Sequence, residues 1–201
     1  MIWIGLTGGI ATGKSAAKKQ FEGLGIPVID ADELAHQVMQ PGQVGYQQVV
    51  SYFGTNVVSQ SGDLNRSALA EIIFKSIDEK EKLESIIHPL VQAEVQKQKA
   101  YHQKIGTPIC MYDVPLLFEK KLEKQFDRVI LIWCDPQTQR ARLKARNQLT
   151  DEQVSDRIRA QMPLSDKLPL VQHCIDNSTT YESLHLQVKT LVEKLKKTVS
   201  L

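Results

Sequence analysis

Eight consecutive residues, Gly8-Gly9-Ile10-Ala11-Thr12-Gly13-Lys14-Ser15, carry the clearest chemistry in the chain. The pattern G-x-x-x-x-G-K-S follows the apolar run Ile2-Trp3-Ile4-Gly5-Leu6 and precedes the helix-like Ala16-Ala17-Lys18-Lys19-Gln20-Phe21, which is the context a phosphate loop requires. Glycines let the backbone curl so that successive N–H groups converge on one point, toward which the positive end of the following helix is also directed. The result is a socket for polyphosphate. In such a loop Lys14 reaches the β- and γ-phosphates of a nucleoside triphosphate, and the Ser15 hydroxyl joins the shell of a magnesium ion that accompanies them. A chance Gly-rich turn is the competing explanation; the strand before, the helix after and the Lys-Ser register stand against it.

Carboxylates and arginines extend the set. Asp30-Ala31-Asp32 follows the strand-like Pro27-Val28-Ile29, and carboxylates at the C-terminal edge of a parallel strand face the crevice where open α/β sheets bind ligands. Asp32 can also cap the helix expected over Glu33 to Met39, so helix capping and catalysis compete for the two aspartates. Asp113 ends the apolar run Thr107 to Tyr112, as a magnesium-orienting strand does, although apolar strands also end in Asp merely to start a turn. Arg140, Arg142, Lys144 and Arg146, with Arg157 and Arg159, make a cationic stretch in which Arg142 and Arg146, four apart, share a helical face. In isolation such a run is a solvated basic face; beside a phosphate socket it reads equally well as a mobile lid that lays arginines on a migrating phosphoryl group.

The elements that must position these groups alternate regularly. Strands are expected at 2–6, 27–30, 107–112, 128–134 and 171–175, each leading into helical sequence, which gives a three-layer α/β fold with a five-stranded parallel sheet. Between the second and third strands lies more helix than a crossover needs. It comprises Val44 to Phe53, a segment carrying Leu69, Ile72, Ile73 and Phe74 at helical spacing, and a helix from Asp78 that is expected to break at His88-Pro89 before a polar helix follows. We read one domain over 1–201, with a core of 1–40, 106–138 and 170–201, a helical substrate-binding insertion over 41–105 and a lid over 139–169. A closing amphipathic helix carries Leu184, Leu186, Val188, Leu191, Val192 and Leu195.

Composition excludes several classes. A net charge of +2 is too small to imply a nucleic-acid surface, and no segment approaches the roughly 18 apolar residues of a membrane span. Cys110, Cys134 and Cys174 lack any C-x-x-C pairing and read as buried strand residues of a reducing compartment, so the expected location is cytoplasmic. A regulatory GTPase would need N-K-x-D after a strand, and the chain has none; a nucleic-acid motor would show a basic or aromatic face, and aromatic content is only 6%. A small-molecule kinase fits the compact core, the helical insertion, the carboxylate and the basic lid. His36 and His173 read as surface or packing residues, and His102 and His185 lie on polar helix faces.

Taken together, Leu6 to Ser15, Val28-Ile29-Asp30-Ala31-Asp32, Leu64-Asn65-Arg66, His88-Pro89, Pro115-Leu116-Leu117-Phe118-Glu119, Gln139-x-x-Arg142 with Arg146, Arg157-Ile158-x-x-Gln161 and Ile175-Asp176-Asn177 resemble, in order and spacing, the dephospho-coenzyme A kinase family. The similarity spans nearly the whole chain, from residue 2 to about residue 195. It implies a phosphate-loop (P-loop) kinase fold and ATP-dependent phosphorylation of the ribose 3′-hydroxyl of dephospho-CoA, with magnesium accompanying ATP. By the same resemblance, Gly8 and Ala11, Thr12, Gly13, Lys14, Ser15 and Ala16 surround the ATP phosphates, with Arg146 and Asn177 on the nucleotide side. Asp32 orients or deprotonates the acceptor hydroxyl, Lys14 reaches the β- and γ-phosphates, Arg142 and Arg146 neutralise the transferred group, and Asp32, His88 and the Pro115 to Glu119 loop, with Pro115 and Leu116, line the acceptor site. Ser15 and Asp113 are the magnesium candidates. Ala16 stands where the family often has a second hydroxyl, leaving Ser15 as the one loop hydroxyl for the metal. The expected partners are small molecules, with neither nucleic acid nor membrane, acting on a monomer or weak homo-oligomer. The alternatives are another small-molecule or nucleoside monophosphate kinase on the same fold, or a regulatory protein that merely binds nucleotide.

Overall fold

A computed structural model describes residues 1–199. The chain divides into two compact units, one formed by Met1–Ile29 with the chain from His102 on, the other by Asp30–Tyr101.

The first unit is built on a parallel sheet in the order β2-β3-β1-β4-β5, with β1 (Ile2–Gly8), β2 (Val28–Asp30), β3 (Ile109–Asp113), β4 (Arg128–Trp133) and β5 (His173–Asp176). All five expected strands form, each within a few residues of its expected bounds. β1 and β3 pair from Ile2↔Ile109 to Leu6↔Asp113, and β1 and β4 from Ile4↔Arg128 to Gly8↔Ile132. β1 is therefore the central strand, and all but its first residue are buried. The chain leaves β1 toward β3 and β2 on one side and later returns to β4 and β5 on the other. The end of β1 is thus the topological switch point, where open α/β sheets make their ligand crevice.

Helices cover both faces. α1 (Lys14–Gly23) and α9 (Tyr181–Val199) pack on one face, where Ile4, Leu6, Met111, Ile130 and Ile132 meet Phe21, Leu184, Val188 and Leu195. Each such aliphatic or aromatic side chain contributes about 2 kcal/mol by leaving water. Within α9 the buried set is Leu184, Val188, Leu191, Val192 and Leu195, one stripe of the helix, whereas Leu186 is 65% exposed because it lies two residues out of that stripe. Trp3 on β1 stacks on Tyr112 and on Phe126, with centroids 5.9 Å apart in both pairs. α6 (Pro136–Asn147), α7 (Asp151–Arg159) and the single turn α8 (Leu164–Lys167) follow β4. Asp135 caps α6 by accepting from the Thr138 N–H, and Thr150 with Gln153 closes a capping box on α7.

The cysteines part company with expectation at one position. Cys110 and Cys134 are buried, but Cys174 is exposed. It sits on β5, the edge strand of the sheet.

The second unit consists of α2 (Ala31–Val38), α3 (Val44–Phe53), α4 (Arg66–Lys75) and most of α5 (Ile77–Lys104). Of the residues expected to form the apolar face of α4, Leu69 is buried, Ile72 and Ile73 are half-buried, and Phe74 is 89% exposed. α5 corrects the expected break at His88-Pro89: it is one continuous 28-residue helix with Pro89 inside it. Proline removes one helical donor and crowds the carbonyl four residues earlier. Here that carbonyl belongs to Ser85, and Ser85, His88 and Pro89 all lie on the exposed side, where losing one helical bond costs less than in the interior, and the helix continues.

Candidate active site

The loop after β1 is held in a conformation that few sequences could adopt. Ala11 and Gly13 have φ values of 60° and 85°, in the left-handed region. At Gly13 a Cβ would stand 2.0 Å from Asn177 Nδ2, so the position requires glycine twice over, for backbone and for space. Gly13 is also the N-cap of α1, where no side chain caps the helix and no acidic residue occupies the first turn. The positive end of the helix is left to a ligand, the arrangement that binds phosphate.

Side chains from distant parts of the first unit fasten this loop. Gln161 Oε1 accepts from Ile10 N–H at 2.7 Å, Gln139 Nε2 donates to the Ile10 carbonyl at 2.9 Å, and Asn177 Nδ2 donates to the Thr12 carbonyl at 2.8 Å. Thr12 Oγ1 donates to the Gly9 carbonyl at 3.0 Å. Lys167, with its side chain fully buried, donates to the Gly8 carbonyl at 3.3 Å and pairs with Glu119 Oε1 at 2.9 Å. Glu119 Oε1 in turn accepts from Met162 N–H at 2.9 Å. Burial pushes the Glu119 carboxyl upward, but the bond from Lys167, with those from backbone N–H groups, outweighs it and holds the group below its ordinary value.

The charged groups of the loop and its surroundings fall into distinct roles. Lys14 forms an ion pair with Asp113, whose side chain is buried at the end of β3. Ser15 follows at the exposed start of α1. The cationic stretch divides. Arg142 Nη1 donates to the Asn177 carbonyl at 2.7 Å, one residue's width from the loop contact made by the same asparagine. Arg140 instead binds Ser155 Oγ at 3.1 Å, and Lys144 pairs with Asp151 at 2.8 Å, so these two tie α6 to α7. Arg146 is exposed and donates to the side chain of its neighbour Asn147. Cys134, close to Arg142, is chemically quiet: burial pushes its thiol up to about 11 despite that cation.

In the second unit, Asp30 and not Asp32 caps α2. One Asp30 carboxylate oxygen accepts from the N–H groups of Asp32 at 2.9 Å and Glu33 at 3.0 Å. Its backbone is extended, as an N-cap must be, whereas Asp32 already lies inside the first turn, where a side chain cannot return to the N2 and N3 amides. Asp32 is exposed and opens on a cavity of about 420 Å³ that His36, Met39, Asp63, Leu64 and Arg66 also line. His88 lies outside that lining, on the exposed side of α5, 3.7 Å from Glu84 one turn away.

The family model for dephospho-CoA kinase matches residues 2–183, from β1 into the start of α9. The chain belongs to the dephospho-CoA kinase family. Among its relatives, the dephospho-CoA kinase of Halalkalibacterium halodurans is 40% identical over 193 residues, covering 96% of each chain. The crystal structure of TT1252 from Thermus thermophilus superposes with a TM-score of 0.81 at 30% identity, over 96% of this chain and 97% of that one. The dephospho-CoA kinase from Campylobacter jejuni superposes with a TM-score of 0.75 at 25% identity, over 97% of each.

Among the residues expected from sequence, the fold brings one group of the dephospho-CoA kinase motifs together in the first unit: Gly8, Thr12, Gly13, Lys14, Asp113, Arg142 and Asn177 are linked by the contacts above. Pro115 joins them through its carbonyl, which accepts from Thr7 Oγ1 at 3.2 Å, with half-buried Leu116 beside it. Asp32 and His88 both belong to the second unit, and His88 is not among the residues that line the Asp32 cavity. Nothing in the sequence marks Lys167; Gln139 and Gln161 stand out there only as motif members, and Glu119 only as the end of the acceptor-lining loop Pro115 to Glu119. The Arg157-Ile158-x-x-Gln161 motif marked the segment, but nothing in a linear sequence distinguishes a buried lysine from a solvated one. His36 and Arg66, which have no site role in the sequence reading, also line the Asp32 cavity.

Proposed function

We propose that this chain transfers the γ-phosphoryl group of ATP to the ribose 3′-hydroxyl of dephospho-CoA, giving CoA and ADP in the last step of coenzyme A synthesis. The observation that carries this reading is the family match over residues 2–183, which includes both the phosphate loop and Asp32. The loop amides and the N-terminus of α1 bind the phosphates, and Lys14 exchanges its Asp113 partner for phosphate oxygens when ATP enters. The acceptor oxygen forms its bond to the γ-phosphorus as the bond to the β–γ bridging oxygen breaks, and ADP departs with that electron pair. Asp32 orients the 3′-hydroxyl and takes its proton; in a loose transition state the orientation matters more than early deprotonation. Arg142 and Arg146 neutralise charge on the migrating group. Asn177 serves the nucleotide side by holding the Thr12 peptide, while His88, Pro115 and Leu116 serve the acceptor side.

The donor set suits magnesium. Ser15 and Asp113 offer a hydroxyl and a carboxylate, hard oxygen donors, and among the described residues no group of three or more His, Cys, Asp or Glu forms a self-sufficient metal site. Ser15 and Asp113 would hold an ion that arrives with ATP, and its chemistry there would be to offset phosphate charge. Among the described residues no helix is long and apolar enough to cross a membrane. A cytoplasmic location and a monomer or weak homo-oligomer complete this reading.

The test is ADP release on incubation with ATP, magnesium and a panel of dephospho-CoA, nucleosides, nucleoside monophosphates and shikimate. Turnover dependent on dephospho-CoA is expected. Turnover with another acceptor and none with dephospho-CoA would overturn the assignment.

A further inference from the structure

Four side chains hold carbonyl oxygens of the phosphate loop: Lys167 on Gly8, Thr12 on Gly9, Gln139 on Ile10 and Asn177 on Thr12. The described peptides are all trans, and in a trans peptide the C=O and the next N–H point in opposite directions. Fixing the Gly8, Ile10 and Thr12 carbonyls therefore turns the Gly9, Ala11 and Gly13 N–H groups away from those partners. The Ile10 N–H does not take part, because Gln161 already accepts from it at 2.7 Å.

Lys167 differs from the other three fasteners in being charged. Its side chain is fully buried, and it reaches Gly8 across 159 positions of sequence. Through Glu119, which also holds the Met162 amide, it ties together the end of β1, the loop after β3 and the segment after α7. A buried ion pair is a poor source of stability, since an apolar pair of similar volume folds as well or better. A charged donor held in place by its own ion pair is, however, a directed way to orient one peptide plane. We propose that Lys167 is a positioning residue for phosphoryl transfer, holding the Gly8 carbonyl so that the Gly9 N–H faces a polyphosphate oxygen. The proposal rests on the reading of the loop as a polyphosphate socket.

The test removes both charges at once, so that no lone buried ion remains. The Lys167→Met/Glu119→Gln double variant is checked for folding by thermal denaturation and then compared with wild type for binding of inorganic tripolyphosphate and of ATP, and for the KM of dephospho-CoA. Loss of at least about tenfold in tripolyphosphate and ATP affinity is expected, with the dephospho-CoA KM within about twofold. A merely structural role would not single out the phosphate-bearing ligands. A folded double variant with unchanged tripolyphosphate affinity overturns the proposal. Should the variant fail to fold, wild type decides: on adding tripolyphosphate the Gly9 amide proton should move downfield in the NMR spectrum while that of Ile10 stays, and an unmoved Gly9 overturns the proposal. Failure of wild type to bind tripolyphosphate at all would instead sink the socket reading beneath it.

Discussion

Asp30 and Asp32 stand two residues apart at the start of one helix, and only one of them is needed to start it. Asp30 satisfies the Asp32 and Glu33 amides, so the Asp32 carboxylate is not used in the cap. Asp32→Asn should lower turnover by at least about a hundredfold, the lower range for a general acid–base group, with ATP affinity kept. Steady-state kinetics with a direct ATP-binding measurement check this; wild-type turnover would remove Asp32 from the mechanism. Glu119 makes a pH prediction. Its folded-state value lies below the ordinary 4.5, so the stability it contributes is complete above that value and is lost as pH falls through the lowered one. The melting temperatures of wild type and Glu119→Gln should therefore differ most near neutrality and converge on acidification from about pH 5 toward pH 3. A difference independent of pH would contradict the pairing with Lys167.

At the scale of elements, what could be read from sequence was whatever rests on contiguous residues. The loop was legible because eight neighbours carry it, and the strands because apolar β-branched runs end in turn residues. α5 was not, because the cost of Pro89 depends on whether the Ser85 carbonyl meets water or protein, which only the fold decides. Lys167 was not, because its partners lie 48 and 159 positions away. The choice between Asp30 and Asp32 turned on where α2 begins, a matter of two residues, which is finer than helix-start signals resolve. Element packing gives its own prediction. Gly45 on α3 lies against α2, where an added Cβ would stand 2.4 Å from the Val38 carbonyl oxygen, a backbone atom that cannot swing aside. Gly45→Ala should force α3 from α2, the helix that carries Asp32, and raise the KM for dephospho-CoA severalfold while ATP affinity holds. Equal damage to both substrates would show that the substitution unfolds the chain instead.

At the scale of the molecule, the phosphate-loop residues and the side chains that fasten them gather in one compact unit and the Asp32 cavity in the other. ATP is expected to stabilise the folded state in proportion to its occupancy. At a hundred times its dissociation constant it contributes about 2.7 kcal/mol, which for a chain of this length raises the melting temperature by about 5–10 °C. Differential scanning calorimetry measures it, and no shift with magnesium and ATP would contradict the socket.

The central claim concerns one hydroxyl, and one pair of acceptors tests it. With ATP and magnesium present, ADP release should depend on dephospho-CoA and vanish with its 3′-deoxy analogue, although the analogue still competes for the acceptor site. Equal ADP release with both acceptors would place the phosphate elsewhere and contradict the account.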